Sequence, residues 1–205
     1  MQNKLNKMKK SILGIALLTA SFFFLSSCNT SDNKSNEETI QVEYPDEEED
    51  LYNFEGLSLQ PYGINAFIYL PDESASIGTS TSPEIYHELN GFEWEIIVGP
   101  NFHLKVEDWG DEPFSNFIAE LDEQTIYDIE YLEKEENFIY YKTILKVRGK
   151  ESAEKVGIEH ESFHVAAMHN IDGYNYIFRT NEEGHTKRIT DYMKKTVKHV
   201  RSLEL

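Results

Sequence analysis

The chain has 205 residues, 40% of them hydrophobic, with one cysteine and a formal net charge of −18. That length suits one ordinary domain. The acidic balance argues against a nucleic-acid partner, whose phosphates would be repelled, and a single cysteine leaves no internal disulfide.

The first element is an address label. Lys4, Lys7, Lys9 and Lys10 make a basic start, and "SILGIALLTASFFFL" follows as an apolar run. The run is shorter than the ~20 apolar residues of a membrane span. It ends at "LSSC", Leu25 to Cys28. Small residues before a Cys, directly after such a run, resemble the lipobox of bacterial lipoproteins. The resemblance implies cleavage before Cys28 and lipidation of Cys28 on sulfur and amine. It also implies an envelope location, at the periplasmic or surface face of the outer membrane. The alternative is an uncleaved signal anchor. Several acyl chains anchor firmly, each buried methylene contributing ~0.8 kcal/mol. Cys28 is the sole cysteine, so its lipidation would leave no thiol for catalysis. Residues 1–27 hold four lysines and no acid; without them, 15 basic residues face 37 acidic ones, a net charge of −22. Acyl chains, rather than charge, would hold such a protein to its membrane.

Residues 28–50 are polar and acidic, and read as a disordered tether. Within them "DEEED" (46–50) lacks the alternating oxygen ligands and glycine turn of an EF-hand loop, so it reads as solvated chain. An acidic stretch after a lipidated Cys resembles the surface-export signal of Bacteroidetes lipoproteins, although here the acids begin only at Asp32.

Residues 51–205 read as a single domain. "INAFIYLP" (64–71), "FEWEIIVG" (92–99) and "FHLKVEDWG" (102–110) are predicted strands, bounded by turn residues. "EPFSNFIAELDEQ" (112–124) changes period, with Phe114, Phe117, Ile118 and Leu121 on one helical face. Residues 127–149 read as a hairpin turning near Glu135–Asn137. In "SFHVAAMHNIDGYNYIFRT" (162–180), Asp172-Gly173 is a two-residue turn signal. It sets Ile171 against Tyr174 and His169 against Tyr176. One face then carries Phe163, Val165, Ala167, His169, Ile171, Tyr174, Tyr176 and Phe178. The other carries His164, Met168, Asn170, Asn175 and Arg179. The chain closes on a helix, with Ile189, Tyr192, Met193, Val197, Val200 and Leu203 at helical spacing.

The expected fold class is therefore α+β: a mostly antiparallel sheet of about six to seven strands with two flanking helices. The order, three strands, helix, four strands, helix, resembles the PsbP-like fold. An extrinsic photosystem subunit, a nuclear import factor and several bacterial lipoproteins share that fold. The resemblance covers about residues 60–203 and rests on element order. It carries no functional residue across, because fold does not fix function.

"HESFH", His160 to His164, matches the zinc-peptidase pattern H-E-x-x-H. On a helix the two histidines stand one turn apart and bind one ion. The glutamate between them activates the metal-bound water. His160 and His164 would be ligands, Glu161 the general base, and Glu182 or Glu183 a third ligand. On a strand the two histidines stand ~13 Å apart at ~3.3 Å per residue, too far to share an ion. Phe163, Val165 and the following Asp-Gly turn favour the strand, and with it no cofactor. His169, facing Tyr176, reads as a hydrogen-bonded core histidine. His103 joins a composite site only if its strand neighbours the others.

Two surfaces stand out for binding: the sheet face not covered by the closing helix, and a basic strip on that helix. Lys194, Lys195 and Lys198 belong to this strip. The strip either docks an acidic partner in the envelope or balances neighbouring acids. The aromatics, Tyr140 and Tyr141 among them, either pack the core or line a ligand groove. The functional expectation is a lipid-anchored envelope protein acting as a binding module or an accessory subunit rather than a catalyst, with a zinc-dependent peptidase as the rival reading.

Overall fold

Alternating apolar residues make strands the main regular structure among the described residues, and all their strand pairs are antiparallel. The structure is a computed structural model that describes residues 51–78, 82–87, 91–146 and 161–203. Cys28 and the acidic stretch before residue 51 lie outside the described residues. The described residues all fall within one compact unit, Tyr44–Leu205.

Ten strands and two α-helices follow in order among the described residues. Strands β1 (Phe54–Ser58), β2 (Ala66–Pro71), β3 (Glu84–His87), β4 (Glu93–Val98) and β5 (Phe102–Asp108) precede helix α1 (Phe114–Asp122). Strands β6 (Tyr127–Lys134), β7 (Phe138–Leu145), β8 (Glu161–Ile171) and β9 (Tyr174–Thr180) then lead to helix α2 (Lys187–Lys198) and the short β10 (Arg201–Ser202). The main sheet has seven strands in the order β3-β4-β5-β9-β8-β7-β6. The α+β class with two helices and a mainly antiparallel sheet is thus as expected.

The sheet is two meanders joined by β5 and β9. Because β5 lies in the middle and β6 at one edge, α1 carries the chain across one face between them. Phe114, Ile139, Tyr141, Ala166, Met168 and Ile177 form a core on that face, with Phe117, Ile118 and Leu121 packed against it. The larger core is on the opposite face. There Val165, Ala167, Phe178, Ile96 and Leu104 meet Met193 and Val197 of α2 and Ile68 and Leu70 of β2.

Two features depart from the sequence reading. "INAFIYLP" does not join the main sheet; β2 is the centre of a second sheet of order β1-β2-β10. The closing helix ends at Lys198, and Arg201–Ser202 pair with Phe67 and Ala66. The β8–β9 register matches the expected one, Ile171 opposite Tyr174 and His169 opposite Tyr176. Asp172 (φ 54°) and Gly173 (φ 88°) both take the left-handed conformation of a tight hairpin turn.

Candidate functional site

The second face of the β8–β9 hairpin is where polar chemistry collects. His164 of β8 is buried between β7 and β9. Its ring stacks on Tyr141 with centroids 5.0 Å apart and planes 11° apart. Nε2 lies 3.2 Å from Thr143 Oγ1 and 3.0 Å from Ser162 Oγ, and those two hydroxyls are 2.7 Å from each other. Nδ1 lies 3.2 Å from Thr180 Oγ1. Burial lowers the His164 pKa to about 4, aided by His185 and Arg179, so the imidazole is neutral.

Arg179 stands beside it on β9. Its Nε donates to Glu107 Oε1 at 2.8 Å and its Nη2 to Glu182 Oε1 at 2.8 Å. Trp109 Nε1 donates to the other Glu107 oxygen at 3.0 Å. Burial disfavours the Arg179 charge, but the two carboxylates outweigh it and raise the pKa. Burial likewise pushes the Glu182 carboxyl up; hydrogen bonds from Arg179, its own backbone and Lys105 bring it down to about 2.

Above these groups, α1 leaves a cleft of about 260 Å³. Tyr141, Thr143, His164 and Arg179 lie on the sheet side, with Phe117 and Leu121 on the helix side. The volume is just under the ~300–1,000 Å³ usual for small-molecule sites. The mixture is also typical of them: apolar walls with a few polar groups. Tyr86, His87, Phe92 and Glu95 border a second concavity at the β3 edge, larger at about 700 Å³.

The two described residues of the motif do not share a face. Glu161 and His164 lie on a strand, so they point to opposite faces of the sheet. Glu161 is exposed beside Lys142 at 3.8 Å, while His164 is buried among hydroxyls. On a helix these two would share a face. His160 lies outside the described residues. Glu182 sits in the turn before α2, held by Arg179 and by Lys105 at 3.2 Å. Among the described residues, no group of three or more His, Cys, Asp or Glu could hold a metal ion. His169 Nε2 donates to Val197 O at 2.7 Å, the hydrogen-bonded role its register implied. His103 is on β5, separated from β8 by β9, and faces Glu95 at 3.4 Å.

The basic strip is engaged within the chain. Lys194 pairs with Glu133, and Lys198 reaches Glu133 at 3.5 Å and Glu135 at 2.9 Å. Lys198 also lies 4.0 Å from the centre of the Phe138 ring. Lys195 is half-buried in the last turn, its carbonyl accepting from the His199 N–H. The strip therefore clamps α2 to the β6–β7 hairpin.

No protein-family model matches this sequence, and no curated protein matches it either. The sequence reading placed His164 and Arg179 together on one face but missed Thr143, Thr180 and Tyr141 as their neighbours. Those come from β7 and β9, and only strand order brings them together.

Proposed function

We propose that this protein is a lipid-anchored envelope module that works by binding a small ligand in the cleft between α1 and the main sheet. The observation that carries this reading is the cleft itself. It combines aromatic and aliphatic walls with Thr143, His164 and Arg179, already fixed in place by their own hydrogen bonds. Preorganised polar groups bind without a large ordering cost. The hydroxyl network speaks for binding over catalysis. His164 is neutral, and hydroxyls flank both of its ring nitrogens, where a catalytic triad would set a carboxylate against one of them.

The lipid anchor is supported by the "LSSC" sequence ending at Cys28. Two measurements test the proposal. Cys28→Ser should move the protein from the membrane to the soluble fraction. A thermal-shift screen of the full chain against small molecules should give ligands that raise the midpoint. Those shifts should vanish in Leu121→Trp, which fills the cleft from the helix side. Shifts that survive in Leu121→Trp would place binding elsewhere.

A further inference from the structure

We infer that the ligand of this cleft is a small organic cation, its ammonium group seated against aromatic rings and answered by carboxylates. The inference rests on the cleft being the binding site. It names the class of molecule the cleft would take.

Three rings line it: Phe117 from α1, Tyr127 from β6 and Tyr141 from β7. Ring faces attract cations, most strongly where water is excluded. Tyr141 is mostly buried, but its hydroxyl is not among the fully buried polar atoms, and no described residue hydrogen-bonds to it. It opens on the cleft, where its oxygen is free to accept from an ammonium N–H.

Charge points the same way. Arg179 is the cationic side chain of the cleft, and it is compensated twice, by Glu107 and Glu182. Glu182 also pairs with Lys105. Glu120 lines the cleft from α1 and has no ion pair among the described residues. The charge left unanswered at the mouth is thus negative, on a chain of net charge −18. Clefts of one sign concentrate ions of the other. An anionic ligand would meet Glu120 and Glu182, and would find the Arg179 donors already taken. The volume of about 260 Å³ limits the cation to a small one.

The test compares three probes that share a ring and a two-carbon chain: 2-phenylethylammonium, 2-phenylethanol and 3-phenylpropionate. Each is titrated calorimetrically into the full chain in lipid nanodiscs. The amine should bind roughly tenfold more tightly than the alcohol, and the carboxylate should not bind. Glu120→Gln should weaken the amine several-fold and leave the alcohol unchanged. Tyr141→Phe, which removes no internal hydrogen bond, should keep the unfolding midpoint while weakening the amine. Equal binding of alcohol and amine would overturn the cation class but leave the cleft as a binding site. Preference for the carboxylate would overturn it in favour of Arg179. Binding by none of the three would overturn both the class and the binding reading.

Discussion

Gly184 lies flat against the imidazole of His164. A Cβ placed on residue 184 would stand 2.5 Å from both Cε1 and Nε2 of that ring, and 2.9 Å from Ser162 Cβ. The glycine also holds φ at +65°, with its N–H bonded to Asn181 Oδ1 at 3.1 Å. The turn after β9 is therefore a lid over the buried histidine, and only a residue without a side chain closes it.

Gly184→Ala should destabilise the fold by about 2–4 kcal/mol, combining left-handed strain with overpacking. Gly110→Ala is the matched control. Gly110 has φ +58° but nothing within 4 Å of its Cβ position, so only strain of about 1 kcal/mol applies. Urea midpoints of the two variants give the difference. Equal losses would mean that His164 yields freely to the added methyl.

Acid should unfold the protein in two stages. The folded His164 pKa is about 4, below the ordinary 6.5, chiefly through burial. Between those values the unfolded chain takes up a proton that the folded chain refuses. The stability His164 contributes is complete above pH 6.5 and is lost as pH falls toward 4, about 3 kcal/mol in all. His169 and His185 are lowered for the same first reason and add to the loss. Glu182 acts lower down. Its folded pKa of about 2 lies below the ordinary 4.5, so its contribution is present above 4.5 and disappears toward 2. Denaturation curves at pH 7.5, 6 and 5 should show the first stage, and it should be shallower in His164→Gln. An unchanged slope in that variant would assign the stage to other groups.

Lys194 and Lys198 should behave as structural ions. Reversing both to Glu sets them against Glu133 and Glu135 and should lower stability by about 1–2 kcal/mol, since exposed pairs are each worth ~0.2–1 kcal/mol. Adding Glu133→Lys should restore most of the loss. Failure of that rescue, with the folded state intact, would return the strip to the role of a partner-docking surface.

Much of this arrangement is legible in the sequence because it is local. Asp172-Gly173 fixes the β8–β9 register, and the register fixes that His164 and Arg179 share a face while His169 points to the other. The spacing of Phe114, Phe117, Ile118 and Leu121 likewise marks the buried stripe of α1. What the sequence hides is long-range. Phe54–Ser58 contains a glycine and a serine in five residues, and Arg201–Ser202 is only two residues long. Neither reads as a strand until β2 pairs with both. The sheet face opposite α2 looks open from one hairpin's alternation, yet α1 covers part of it because β5 and β6 lie four strand steps apart. That crossing creates the cleft, and no short motif encodes it. "HESFH" shows the converse: five letters fix residue types, while the secondary structure around them decides whether Glu161 and His164 share a face.

The most direct test of the binding reading is hydrogen exchange of the full chain, with and without the tightest small molecule from the thermal-shift screen. The expected result is slowed exchange in α1 and in the strand segments carrying Tyr141–Thr143 and Ser162–His164, with the rest unchanged. Slowed exchange confined to the concavity around Tyr86 and Phe92, or to α2, would contradict the assignment of the cleft as the ligand site.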